Sequence, residues 1–205
     1  MFVPPKFRED KLDKLHDLMR RNPFATLVCI GNDGIVANHI PFILDTKTEH
    51  GEFGCLQGHV ALANPVWKEC QPDSKVLVIF QGLDAYISPS WYPSKREHGK
   101  VVPTWNYMTV HASGKMKITK NAQWLKDQIT ALTHQHERDR PEPWAVSDAP
   151  SDFIDSQIKG IVGLEIVISE LVGKSKLSQN RSAADRAGVV EGLRDELDPM
   201  ADEVS

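Results

Sequence analysis

Several absences narrow what this chain of 205 residues can be. No run of about 18 apolar residues occurs, so no segment reads as a membrane-spanning helix. The N-terminus, MFVPPKFREDKLDKLHDLMRRN, lacks the apolar stretch of a secretory leader. Cysteine is scarce: Cys29, Cys55 and Cys70 are odd in number, widely spaced and form no CxxC pair. That pattern speaks against a zinc ribbon or a disulfide framework. A soluble protein of a reducing cytoplasm is the expectation. There is no P-loop signature, no GxGxxG, no HExxH and no GxSxG, so common phosphate, dinucleotide, zinc-protease and serine-hydrolase sites find no support. His134 and His136 stand two apart in a helical segment and point in different directions, which leaves a lone haem-ligating histidine as the remaining metal reading. A net charge of −4 gives no global attraction to nucleic acid or to an anionic membrane.

What is present is an ordinary globular composition, 40% hydrophobic and 25% charged. Leu12, Leu15, Leu18 and Met19 recur at helical spacing within residues 9–21, and Asn22-Pro23 ends that helix. FATLVCIG and IVANHIPFIL flank Asn32-Asp33-Gly34, a hairpin signal, with Pro41 marking the second strand as an edge. EFGCLQGHV reads as a strand, and ALANPVWKEC as a short helix with Asn64 as cap and Pro65 at its first position. KVLVIFQG and AYISP read as two strands, residues 89–103 as an irregular loop, and TWNYMTVHASGKMKI as a long strand bent at Gly114. Residues 121–138 form a second helix with Trp124, Leu125, Ile129 and Leu132 on one face, and a short third helix opens at Ser151. IVGLEIVISELVG is the last strong strand; the tail from Asn180 is helical and frays into DPMADEVS. Strands in hairpin order with helices at both ends predict an α+β fold on a six-stranded antiparallel sheet, and strands apolar on both faces predict closure into a barrel. A single domain over 1–205 is expected.

Two stretches could carry chemistry. In GKVVPTWNYMTVHASG, alternation puts Met108, Val110 and Ala112 on one face and Trp105, Tyr107, Thr109 and His111 on the other. The second face suits a subunit contact or a flat stacked ligand. In VGKSKLSQNR, an extended backbone points Lys174, Lys176 and Ser178 to one side, where two cations and a hydroxyl can grip a phosphate or simply solvate a strand end. Gln179, Asn180 and Arg181 add donors and acceptors beside them. Tyr86, Trp91 and Tyr92, stiffened by Pro89 and Pro93, read as a hydrophobic lid or as the aromatic wall of a pocket.

GHVALANPVW, VLVIFQGLDAYISPSWYPSK, VVPTWNYMTVHASG and GKSKLSQNR, in that order and over residues 1–193, closely resemble the PaiB family, the FMN-binding negative transcriptional regulators. The resemblance implies a split β-barrel with flanking helices, a homodimer, and FMN at the subunit boundary with its phosphate held by basic and hydroxyl side chains. Carried over block by block, it implies cofactor contacts at Asn38 and His39, at His59, and at Asn64 and Trp67. It implies further contacts at Thr104, Trp105, Asn106, Tyr107 and His111, and at Lys174, Lys176, Ser178, Gln179 and Asn180. Ser175 stands where the family is expected to carry a large aromatic residue. The implied function is a flavin-binding repressor or sensor. The alternatives are an FMN-dependent oxidoreductase or flavin reductase, with His111 or His39 as proton donor, and a haem-binding or ligand-free barrel. Direct operator binding would need a dimer to gather the two lysines, Arg181 and Arg186 into a basic patch, because the chain is acidic overall and shows no helix-turn-helix pair.

Overall fold

A computed structural model describes residues 1–70 and 75–205. One antiparallel sheet carries six long strands: β2 (Phe24–Gly31), β3 (Gly34–Pro41), β5 (Cys55–Ala61), β6 (Lys75–Ile87), β7 (Thr104–Thr119) and β8 (Ile161–Lys176). Two short strands, β1 (Arg8–Glu9) and β4 (Ile43–Asp45), bring the count to eight. The order is β3-β2-β6-β7-β8-β5-β4, with β1 paired to the end of β8. The helices are α1 (Leu12–Arg21), α2 (Val66–Glu69), α3 (Ser94–His98), α4 (Ala122–Glu137), α5 (Ser151–Ile158), α6 (Ala183–Asp195) and α7 (Met200–Val204). No helix is long and apolar enough to cross a membrane among the described residues.

The chain divides into two compact units, Met1–Leu18 with Gln81–Val110 and Val172–Ser205, and Met19–Phe80 with His111–Leu171. In the second unit, β2 and β3 form the expected hairpin, with Ile30 opposite Ile35 and Gly31 opposite Gly34. Gly34 takes a positive φ of 124°, a conformation that side-chain-bearing residues rarely adopt. β2 also pairs with β6, Thr26 opposite Ile79, and β5 with β8, Cys55 opposite Val167 through Ala61 opposite Ile161. Leu27, Val78, Phe80, Leu56, Leu164 and Ile166 fill the interior. Each such side chain contributes about 1.5–3 kcal/mol on burial. Asn121 caps α4 by accepting from Trp124 N at 2.9 Å. Trp124 lies so close to β8 that a Cβ on Gly163 would fall 2.3 Å from its ring.

In the first unit, α6 and α7 pack Val189, Leu193, Met200 and Val204 around Ala85, Ile87 and Tyr92. Three sequence expectations change here. KVLVIFQG and AYISP are one strand, β6, unbroken at Gly82. The loop of residues 89–103 contains a 3-10 turn at Pro89–Trp91 and α3. The tail does not fray: α7 follows, and Met200 is fully buried because its apolar side chain completes the α6 core. A further expectation fails in the second unit, where Cys29 and Cys70 are disulfide-bonded with their Cα atoms 5.8 Å apart. Sequence spacing cannot report this, since 41 residues separate two positions that the β2–α2 packing brings together.

Candidate functional site

β7 alternates as its sequence requires. Asn106, Met108, Val110 and Ala112 are buried, while Trp105 is exposed and Tyr107 and His111 are half-buried on the opposite side. Thr109, on that same side, is covered.

The first unit gathers most of the expected site residues. The Lys176 ammonium donates to the Thr104 hydroxyl and, at 2.7 Å, to the Trp105 carbonyl. Lys174 donates to the Phe2 carbonyl at 3.3 Å and sits 4.9 Å from the centre of the Tyr107 ring. The Trp105 indole donates to Asp84 at 3.0 Å and meets Tyr86 edge-on, ring centres 6.0 Å apart. Two further cations join them. Partial burial, together with repulsion from Lys174, Arg181 and Lys6, lowers the pKa of Lys176. Arg181 stacks 4.6 Å over Tyr92, whose hydroxyl burial pushes its pKa up. None of Lys6, Lys174, Lys176 and Arg181 forms an ion pair among the described residues. Arg181 stands where the sequence set it, beside the lysines, though outside the implied cofactor contacts; Lys6 completes the cluster without having been singled out from sequence, where a lone lysine near the N-terminus is too common a signal to stand out.

Ser178 departs from the extended reading. β8 ends at Lys176, and Ser178 takes a left-handed φ of 61° that turns its side chain inward. There it is buried and accepts from Asn106 Nδ2 at 3.0 Å. Gln179 closes the same turn, its Oε1 accepting from Leu177 N at 2.7 Å and its Nε2 donating to the Ser175 carbonyl. Asn180 is exposed.

In the second unit the expected residues fall in separate places. Asn64 Nδ2 donates to Asn38 Oδ1 at 2.8 Å, and Asn64 Oδ1 caps α2 by accepting from Val66 N at 3.0 Å. His39 is exposed beside the Phe24 ring. His59 Nδ1 lies 2.7 Å from Gln128 Oε1. Trp67 carries the ammonium groups of Lys68 and Lys120 over its ring and donates to the Leu62 carbonyl at 3.1 Å. Burial lowers the pKa of His111.

The donor set of the first unit fits a phosphorylated aromatic ligand. Ammonium groups without an ion pair among the described residues favour a phosphate, and exposed indole and phenol rings offer stacking faces. Comparison with known proteins gives the family. Residues 1–170 match the family model described as "Putative FMN-binding domain". Protease synthase and sporulation protein PAI 2 of Bacillus subtilis is 33% identical over 205 residues, covering all of this chain and 95% of that protein. The fold is shared with the FAD and heme binding protein from Mycobacterium smegmatis, at TM-score 0.60 and 16% identity over 82% of this chain and 73% of that one. It is also shared with the flavocytochrome Anf3 from Azotobacter vinelandii, at TM-score 0.58 and 12% identity over 83% and 69%. The chain belongs to the FMN-binding, PaiB-type family, on a flavin-binding split-barrel fold.

Proposed function

We propose that this protein is a homodimeric, FMN-holding regulator of the PaiB type, acting as a negative transcriptional regulator or flavin-dependent sensor. The observation that carries the reading is the group of three lysines, Lys6, Lys174 and Lys176, without an ion pair among the described residues and with Arg181 close by, beside Trp105, Tyr107 and Tyr86. Lys174 and Lys176 would neutralise the FMN phosphate, with Lys6 and Arg181 adding to the local field. Trp105 and Tyr86 would cover the ring, while Asn106 and Ser178 brace the turn behind the lysines. Bound flavin supplies hydride chemistry, which a sensor can use to register reductant. All 205 residues are proposed to work as one domain, since β6, β7 and β8 run unbroken through both units. Dimerisation is supported by an exposed apolar sheet face on β2 and β3 that carries Phe24 and Ile35.

The test compares FMN with riboflavin, which lacks the phosphate. The double variant Lys174→Ala, Lys176→Ala is expected to weaken FMN by about tenfold or more, the scale of one charge-assisted contact, and riboflavin far less. Equal loss for both ligands removes the phosphate assignment. No FMN uptake by the wild-type protein at tens of micromolar overturns the reading. NAD(P)H turnover with an acceptor would instead favour an oxidoreductase, and salt-sensitive retention of promoter DNA would favour direct repression.

A further inference from the structure

The Cys29–Cys70 bond joins β2 to the residue that ends α2. Both half-cystines are buried, Cys70 at 8% exposure less deeply than Cys29 at 2%. The remaining cysteine is chemically quiet: Cys55 is fully buried, and burial pushes its thiol pKa up to about 12. Thiol–disulfide chemistry in this chain is therefore concentrated at one bond.

That bond fastens a segment with few other anchors. α2 spans four residues, too short to persist unaided, and Val66 is its buried side chain. Its N-terminal side is tied to β3 by the Asn64–Asn38 amide contact. Its Trp67 indole bonds to Leu62 within the same segment. The disulfide holds the far end, so cleaving it leaves residues 64–70 tethered, among the described residues, chiefly by Val66, one amide pair and the Lys120 ammonium over the Trp67 ring.

We propose that Cys29–Cys70 is a thiol-redox site, taking a dithiol as its reductant, and that its cleavage loosens residues 64–70 and the Asn38–Asn64 contact. A thiolate of the dithiol attacks Sγ of Cys70, the more accessible sulfur, forming a mixed disulfide and expelling Cys29 as a thiolate that takes up a proton. The second thiolate of the reductant then attacks its own bonded sulfur and releases Cys70, which is protonated in turn. Two electrons pass to the protein, the dithiol leaves as a disulfide, and two protons end on Cys29 and Cys70.

The test needs no flavin, so its outcome is separate from that of the FMN reading. Full-length protein, denatured and alkylated without reductant, takes one label, on Cys55; after dithiothreitol it takes three. In native wild-type protein, dithiothreitol speeds amide exchange across residues 64–70 by about tenfold or more and leaves β5 unchanged, as expected for a local opening. Cys70→Ser shows the fast exchange without reductant. Three labels before reduction, unchanged exchange in 64–70, or equal acceleration in β5 each overturns the proposal.

Discussion

Asn106 and Ser178 meet out of water: the carboxamide on β7 donates to the hydroxyl at 3.0 Å, and both residues are buried. The pair ties β7 to the turn that follows the two lysines of β8. Ser178→Ala leaves the Asn106 amide with a lost partner in a dry place, at a cost of about 1–3 kcal/mol. Urea unfolding is expected to show that loss. FMN affinity is expected to fall less than in the double lysine variant, because the hydroxyl faces inward.

Lys176 predicts a pH dependence. Its folded-state pKa is lowered by burial and by Lys174, Arg181 and Lys6. A lowered lysine binds fewer protons folded than unfolded, so its contribution to stability is unfavourable at neutral pH and improves as pH rises through the folded pKa toward the ordinary lysine value. FMN affinity moves the other way. It is expected to decline with rising pH before an ordinary ammonium would titrate, and Lys176→Arg is expected to abolish that early decline. An FMN titration series between pH 7 and about 10 measures both.

Asp185 predicts acid sensitivity of the first unit. Burial opposes its ionisation, but the Ser94 N–H and hydroxyl, the Ser182 hydroxyl and the Arg181 charge outweigh it, and its pKa is lowered. A lowered carboxyl contributes stability above its unfolded pKa, near 4, and loses it as pH falls through the folded value. Asp185→Asn is expected to cost about 1–3 kcal/mol at pH 7 and to flatten the stability profile below about pH 4. Unfolding followed by intrinsic fluorescence at several pH values reads this out.

Gly192 predicts an overpacking penalty. A Cβ there would lie 2.4 Å from the Trp91 ring, closer than atoms can pack. Gly192→Ala is expected to destabilise by about 1–3 kcal/mol and to lower the urea midpoint, as α6 is pushed from the 3-10 turn it covers.

The β2–β3 face predicts the oligomeric state. Cross-strand register sets Thr26 beside His39, Val28 beside Ala37 and Ile30 beside Ile35, with Leu77 and Ile79 of β6 alongside. Phe24 and Ile35 are 67% and 77% exposed, and on this face of β2 and β3 no Lys, Arg, Asp or Glu occurs, while Lys75 at the start of β6 stands at its margin. Light scattering is expected to give a dimer for the wild type and a folded monomer for Phe24→Asp, Ile35→Lys. A wild-type monomer would sink the dimer proposal.

Local signals were legible wherever neighbours in sequence decide the outcome. The α1 face, the Asn32–Asp33 turn and the alternation of β7 follow from periodicity and turn chemistry. So does the common side of Lys174 and Lys176. Ser178 escaped because a left-handed residue breaks the two-residue repeat, and serine carries no signal for that conformation. Gly82 looked like a strand break, yet β6 continues through it beside Met108, which would crowd a larger residue. His59 could be placed on a strand, but its Gln128 partner lies 69 residues away on α4.

By itself, the sequence determined the periodic elements, the buried and open sides of β7, and membership of a flavin-binding family, because each rests on residue type at short, fixed spacing. Tertiary structure alone decided that Cys29 reaches Cys70, that Lys6 crowds the two lysines of β8, and that Met200 is core. The reason is physical: charge repulsion, disulfide closure and burial depend on distance through space, and the folding of the chain sets those distances where spacing along the chain does not.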